Sequence, residues 1–147
     1  MQSYAEPKVT AGLKSKDTKY RIVVDTNILV SAFLYGGRPA AVFEEILSSH
    51  TLILSDYIVD ELVACLRIVR PKAPQKWVRA LRQQLSKYCY DYDEVGISSR
   101  DFKDNPILHL AHSESAFILT GDKDILSLEI SKGVASLTID EFEALFL

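Results

Sequence analysis

Apolar residues along the chain fall into two patterns. Short unbroken runs at Ile22-Val23-Val24, Thr51 to Leu54, Phe117 to Thr120 and Val134 to Leu137 have the length of buried strands. The stretches between them repeat their apolar positions at helical spacing. The pattern predicts a strand over 21–25, a helix over 27–34 stopped by Gly36-Gly37, and a helix from Pro39 to Ser49 with Val42, Ile46 and Leu47 inward. After the 51–54 strand, Ser55 is a good N-cap for a helix through Val69. Ile58, Glu61, Leu62 and Cys65 share one face of it. Pro71 and Pro74 break that helix. The next, over 75–88, turns Trp77, Val78, Leu81 and Leu85 inward and Lys76, Arg79, Arg82 and Lys87 outward. Residues 88–97 read as irregular or a short strand. Asp104 or Asn105 starts a helix to about Ser115, a helical turn covers 124–128, and Thr138 caps a terminal helix with Phe142 and Leu145 inward.

Strands alternating with helices imply a parallel sheet, because parallel strands need crossover connections. The expected class is α/β: a three-layer α/β/α domain over 20–147 with a central, mostly parallel four- to five-stranded sheet. Residues 1–19 are polar and aperiodic and read as an N-terminal tail or leader.

A length of 147 residues suits one domain with a real core. No apolar run is long enough to cross a bilayer, and no apolar h-region of a secretory signal is visible near the start. Cys65 and Cys89 lack metal-type spacing and read as reduced thiols of a cytoplasmic protein. The formal charge of −3 argues against a module that coats nucleic acid by charge alone. It does not exclude a nuclease, because metal-binding acids lower the net charge and a bound cation reverses the local field.

The chemistry lies where strands run into acids. Ile22-Val23-Val24 leads into Asp25-Thr26-Asn27, and Phe117-Ile118-Leu119 into Thr120-Gly121-Asp122-Lys123-Asp124. In open α/β sheets, ligands bind at the carboxyl ends of the strands. Acids gathered there repel substrate phosphate unless a cation is bound, which points to metal-dependent phosphodiester chemistry. Asp25 has a plainer reading as cap of the following helix, and so has Asp124; Gly121 is expected to permit a sharp turn. Glu61 is a charge on an otherwise apolar face. Asp101 and Asp104 precede a helix that Asp104-Asn105-Pro106 would start in any case. Together these acids form a hard-oxygen donor set suited to Mg²⁺ or Mn²⁺. His109 and His112 do not form a His-Glu-x-x-His site, and there is no phosphate-binding glycine loop or Gly-x-Ser-x-Gly motif.

Residues 24–32, 55–66, 101–111 and 120–126 resemble, in order, the four motifs of PIN domains, and the resemblance spans roughly residues 20–147. Within that family the chain looks closest to the VapC-like toxins of toxin–antitoxin pairs. The resemblance implies a Mg²⁺- or Mn²⁺-dependent endoribonuclease with Asp25, Glu61, Asp104 and Asp122 as the acidic quartet and Asp124 as an accessory metal ligand. Thr26, Asn27 and Thr120 would orient carboxylates and water. Members often carry a run of acids where this chain has Lys103-Asp104-Asn105, so Asp101 competes with Asp104 for the third position. Arg38, Arg100, Lys103 and Lys123 are candidate RNA contacts, each also readable as a solvated charge. The resemblance further implies an antitoxin partner and a homodimer. Rival readings are an RNA-processing PIN nuclease without an antitoxin and a non-catalytic PIN-like binding module. A dehalogenase-like phosphatase is disfavoured because Asn27 stands where its second aspartate belongs. A receiver domain is disfavoured because no lone strand-end lysine follows Leu119.

Overall fold

Ile22, Val23 and Val24 are all buried, which is why this strand reads as an unbroken apolar run rather than an alternating one. They form β1 (Arg21–Val24), the strand around which a computed structural model of the protein is built. The structure describes residues 18–92, 105–127 and 134–147. Within them the order is β1, α1 (Thr26–Tyr35), α2 (Gly37–Ser49), β2 (Thr51–Ile53), α3 (Asp56–Val69), α4 (Gln75–Ser86), α5 (Asn105–Ser113), β3 (Phe117–Leu119), α6 (Lys123–Leu126), β4 (Ser136–Leu137) and α7 (Ile139–Phe146). The four strands lie parallel in the order β2-β1-β3-β4. This is the predicted α/β class, with a wholly parallel sheet of four described strands.

Register aligns the strand ends. Val23 pairs with Ile53 and with Ile118, and Val24 with Leu119. From β1 the chain crosses to β2 on one side, whereas from β3 it crosses to β4 on the other. The carboxyl ends of β1 and β3 therefore flank the point where the connections diverge, the place where a parallel sheet leaves a crevice. Asp25 and Thr120 are the first residues beyond those ends.

The helices start and stop for local reasons. Ser55 caps α3 by accepting a hydrogen bond from the Ile58 amide at 3.3 Å. Arg70 and Pro71 follow its end, and proline cannot continue a helix. Thr138 and Glu141 form a reciprocal capping box on α7. Gly36 and Gly37, at φ 69° and 62°, take the left-handed turn between α1 and α2 that other residues resist. α1 packs on α2 and α3, α2 on α7, and α5 on β1 and β3. Ile46, Ile58, Leu62, Leu108 and Phe142 are among the fully buried side chains.

Several expectations change. Leu47 is 41% exposed and Trp77 is 45% exposed, so neither joins the core. Each adjoins a buried residue, Ile46 and Val78, that already fills the inward position. The first three strands each end one residue earlier than expected, at Val24, Ile53 and Leu119, and β4 starts at Ser136 instead of Val134. Asp25 and Thr120 still donate their amides to Leu119 and Leu137, while Leu54 makes an isolated parallel bridge to Cys89. The 75–88 helix stops at Ser86 and the helix predicted to reach Ser115 stops at Ser113. Gly121 does not take positive φ, so the turn there does not depend on glycine. Phe146 is buried beside Phe142, while Leu145 is only partly buried. Of the tail read over 1–19, residues 1–17 lie outside the described residues.

Candidate functional site

β1 carries Asp25 into a buried position at 6% exposure. Asp25 occupies the N-cap position of α1, yet its side chain makes no capping hydrogen bond. Its Oδ2 instead accepts the Thr120 hydroxyl at 2.7 Å, across the junction of β1 and β3. The simple capping explanation for Asp25 is thereby replaced. Thr120 is itself fully buried and its Oγ1 accepts the Asp122 amide at 3.0 Å. One hydroxyl thus links the acids that follow two neighbouring strands.

Asp122 is the cap of α6. Its Oδ1 accepts the amides of Asp124 at 2.7 Å and Ile125 at 3.4 Å. Of the two readings of Asp124, cap and metal ligand, the cap does not hold: Asp124 lies in the first turn of the helix and is half-buried. One oxygen of Asp122 is committed to that cap, which fixes where the carboxylate stands. Glu61, on α3, is half-buried and accepts the Thr26 hydroxyl at 2.9 Å. That bond explains a charge on an apolar helix face: the carboxylate leans toward the start of α1. Asn27 is exposed.

The electrostatics are one-sided. Burial raises the Asp25 carboxyl above its ordinary range. Hydrogen bonding from Thr120 and the Thr26 amide opposes this, and the negative charges of Asp122 and Glu61 add to it. Among the described residues no lysine, arginine or histidine forms an ion pair with Asp25, Glu61 or Asp122. Buried carboxylates without a cation are costly. The donors are hard oxygens of the kind Mg²⁺ and Mn²⁺ prefer, so the residues present fit such an ion chemically. Among the described residues no three acids, histidines or cysteines already stand as a closed ligand group. Asp104 and Asp101 lie outside the described residues, as do Arg100 and Lys103.

The other candidates separate from this cluster. Arg38 reaches α7, where it pairs with Glu143 at 2.5 Å and with Asp140; these carboxylates, Glu143 foremost, raise its pKa further. Lys123 is exposed at the start of α6, next to Asp122. Cys89 is not an activated nucleophile: burial first, then Asp56, push its thiol up to about 11. His112 is exposed in the last turn of α5. A buried histidine went unremarked in the sequence. His50 sits beside β2 at 4% exposure, accepts the Tyr20 amide at Nδ1 (3.1 Å) and leaves Nε2 without a partner among the described residues. Only its place directly before a strand could have signalled it.

Against known proteins, the PIN domain family model matches residues 21–124. An uncharacterized protein of Methanocaldococcus jannaschii is 28% identical over 129 residues, covering 78% of this chain and 79% of that protein. Among solved structures, a chain of the crystal structure of VapBC2 from Rickettsia felis, bound to a DNA fragment from their promoter, superposes with a TM-score of 0.50. It is 15% identical, and the match covers 80% of this chain and 98% of that one. That likeness is one of fold. Among the described residues no helix is long and apolar enough to cross a membrane.

Proposed function

The chain belongs to the PIN domain family, and on that footing we propose that it is a divalent-metal-dependent endoribonuclease, the toxin component of a toxin–antitoxin pair. One observation carries the nuclease reading. Asp25, held by Thr120 at the divergence point of the sheet, faces the charges of Glu61 and Asp122 with no cationic partner among the described residues.

Asp25, Glu61 and Asp122 would hold the ion, with Asp104 completing the quartet and Asp124 as an accessory. Bound Mg²⁺ or Mn²⁺ supplies an activated water and offsets the charge that builds on the phosphate. The chain's own groups do the positioning. Thr120 fixes the Asp25 carboxylate through one oxygen, the α6 cap fixes Asp122, and Thr26 fixes Glu61. Orientation of this kind matters because a misplaced ligand weakens both binding and reaction geometry. Exposed Lys123 would attract substrate phosphate beside Asp122, and Arg100 and Lys103 are proposed to do the same. In-line attack forms a bond from the water oxygen to phosphorus and breaks the bond to the 3′-oxygen, which takes a proton. The products carry a 5′-phosphate and a 3′-hydroxyl.

The antitoxin reading is supported by the fold shared with a VapBC2 chain. A partner offering a basic side chain to the acids would satisfy them as a cation does. Co-purification with the product of an adjacent small reading frame tests it.

The nuclease test is cleavage of a mixed single-stranded and structured RNA panel in Mg²⁺, Mn²⁺ or EDTA, beside Asp25→Asn. Metal-dependent cuts that the variant lacks are expected. Cuts that survive EDTA, or that Asp25→Asn makes equally well, would remove the assignment. A folded protein that binds RNA and never cuts it would favour the non-catalytic module.

A further inference from the structure

α1 and α3 lie against each other and run in the same direction. Near one end Thr26 of α1 bonds to Glu61 of α3. At the other, Leu34 and Val69 line a common cavity of about 560 Å³. Eight residues separate Thr26 from Leu34, and eight separate Glu61 from Val69. At 1.5 Å per residue, both helices put the cavity ~12 Å from the acids.

The cavity is apolar but unlike a core defect. Phe33 and Trp77 present rings to solvent at 37% and 45% exposure, and Pro71 and Pro74 stiffen the link behind them. Arg70 and Lys72 line the same cavity and are exposed, and Lys76 and Arg79 continue the positive charge along α4. Among the described residues none of these four cations is in an ion pair. In a chain of net charge −3, unpaired cations set among open aromatic rings select a polyanion with flat apolar faces.

We infer that this cavity is a binding site for single-stranded RNA next to the cleaved bond, with Trp77 and Phe33 stacking bases and Arg70 and Lys72 holding phosphates. Stacking plus a basic track is how single strands are held without sequence readout. The ~12 Å span corresponds to about three or four stacked nucleotides at ~3.4 Å each, and fewer when the strand is extended. A duplex keeps its bases paired and cannot offer their faces to the rings. The inference rests on the RNA nuclease reading and adds the surface that holds the strand beside the acids.

Trp77 is the chain's one tryptophan, so its fluorescence reports on this cavity alone. The test titrates Asp25→Asn protein with a ten-nucleotide single-stranded oligoadenylate and with a duplex of equal length, at several salt concentrations. The single strand is expected to quench Trp77 saturably and the duplex much less. In Asp25→Asn carrying Arg70→Glu and Lys72→Glu, affinity should fall about tenfold or more, and the slope of log affinity against log salt should lose about two units. In the otherwise native chain the same pair of changes should raise KM for RNA with little effect on kcat. Absence of quenching, equal quenching by duplex, or affinity indifferent to the charge reversal would overturn the inference. So would a fluorescence change that follows protein concentration without RNA, which would make the cavity a protein interface. Cleavage with no involvement of Trp77 defeats this inference and leaves the nuclease standing. Quenching by an RNA that is never cut defeats the nuclease reading.

Discussion

The two edges of one sheet handle charge in opposite ways. At the amino edge of β1, Arg21 meets Glu114 at 2.6 Å, donates to the Glu114 carbonyl at 2.8 Å and lies over the Tyr90 ring. His50 is packed there among Tyr20, Phe142 and Phe146, and burial lowers its pKa so that it is held neutral. Just beyond the other end of the same strand, Asp25 is equally buried, yet its described company is a hydroxyl, the Thr26 amide and two more acids. The amino edge pairs its charge within the chain, Arg21 with Glu114, and what it leaves without a partner among the described residues near His50 is a neutral ring nitrogen, Nε2. On the proposed reading the carboxyl edge is completed by an added cation, as expected of a site and not of a scaffold.

Altering one acid at the carboxyl edge should break this contrast most. Asp25→Asn is expected to lower metal-dependent RNA cleavage by more than about a hundredfold, since even partners of metal ligands cost 10–100-fold. It should at the same time raise the melting temperature without metal, because it removes a buried charge facing two others. Thr120→Val should cost about 10–100-fold in cleavage by freeing the Asp25 carboxylate, with Thr120→Ser restoring most of it; rates at saturating metal and RNA check both. At the amino edge, Glu114→Gln should cost about 1–2 kcal/mol of stability in denaturant titration and leave cleavage intact.

The smallest effects are those of pH, and they have opposite signs. The raised Asp25 carboxyl binds its proton more tightly folded than unfolded. Metal-free stability should therefore fall as pH rises from its ordinary value of 3.8 through the raised folded value. The lowered His50 imidazole binds its proton less tightly folded. Stability should fall as pH drops from the ordinary 6.5 toward the lowered folded value. In melting curves across pH, Asp25→Asn should remove the first slope. His50→Asn, which keeps an acceptor for the Tyr20 amide, should flatten the second. A variant that moved the other edge's slope would show that the edges are not independent.

Much of this was legible in the sequence. Unbroken apolar runs such as Ile22-Val23-Val24 named the parallel strands, and Ser55, Thr138 and Gly36-Gly37 marked helix boundaries that the structure keeps. What the sequence left open was partnership. The Thr120–Asp25 bond depends on the register of β1 against β3, which no local pattern encodes. Asp122 and Asp124 both suit a cap, and only the backbone path after Thr120 decides between them. Periodicity also names a face without its width, so it places Leu47 and Trp77 in a core that closes one residue short of each. Trp77 is then left where a ligand can reach it.

The most direct test of the central claim is thermal unfolding of the native chain and of Asp25→Asn, at neutral pH, with and without millimolar Mn²⁺. The account predicts that Mn²⁺ raises the melting temperature of the native chain, because an ion that binds only the folded state stabilises it, and leaves that of Asp25→Asn nearly unmoved. No shift in the native chain, or the same shift in both, would contradict it.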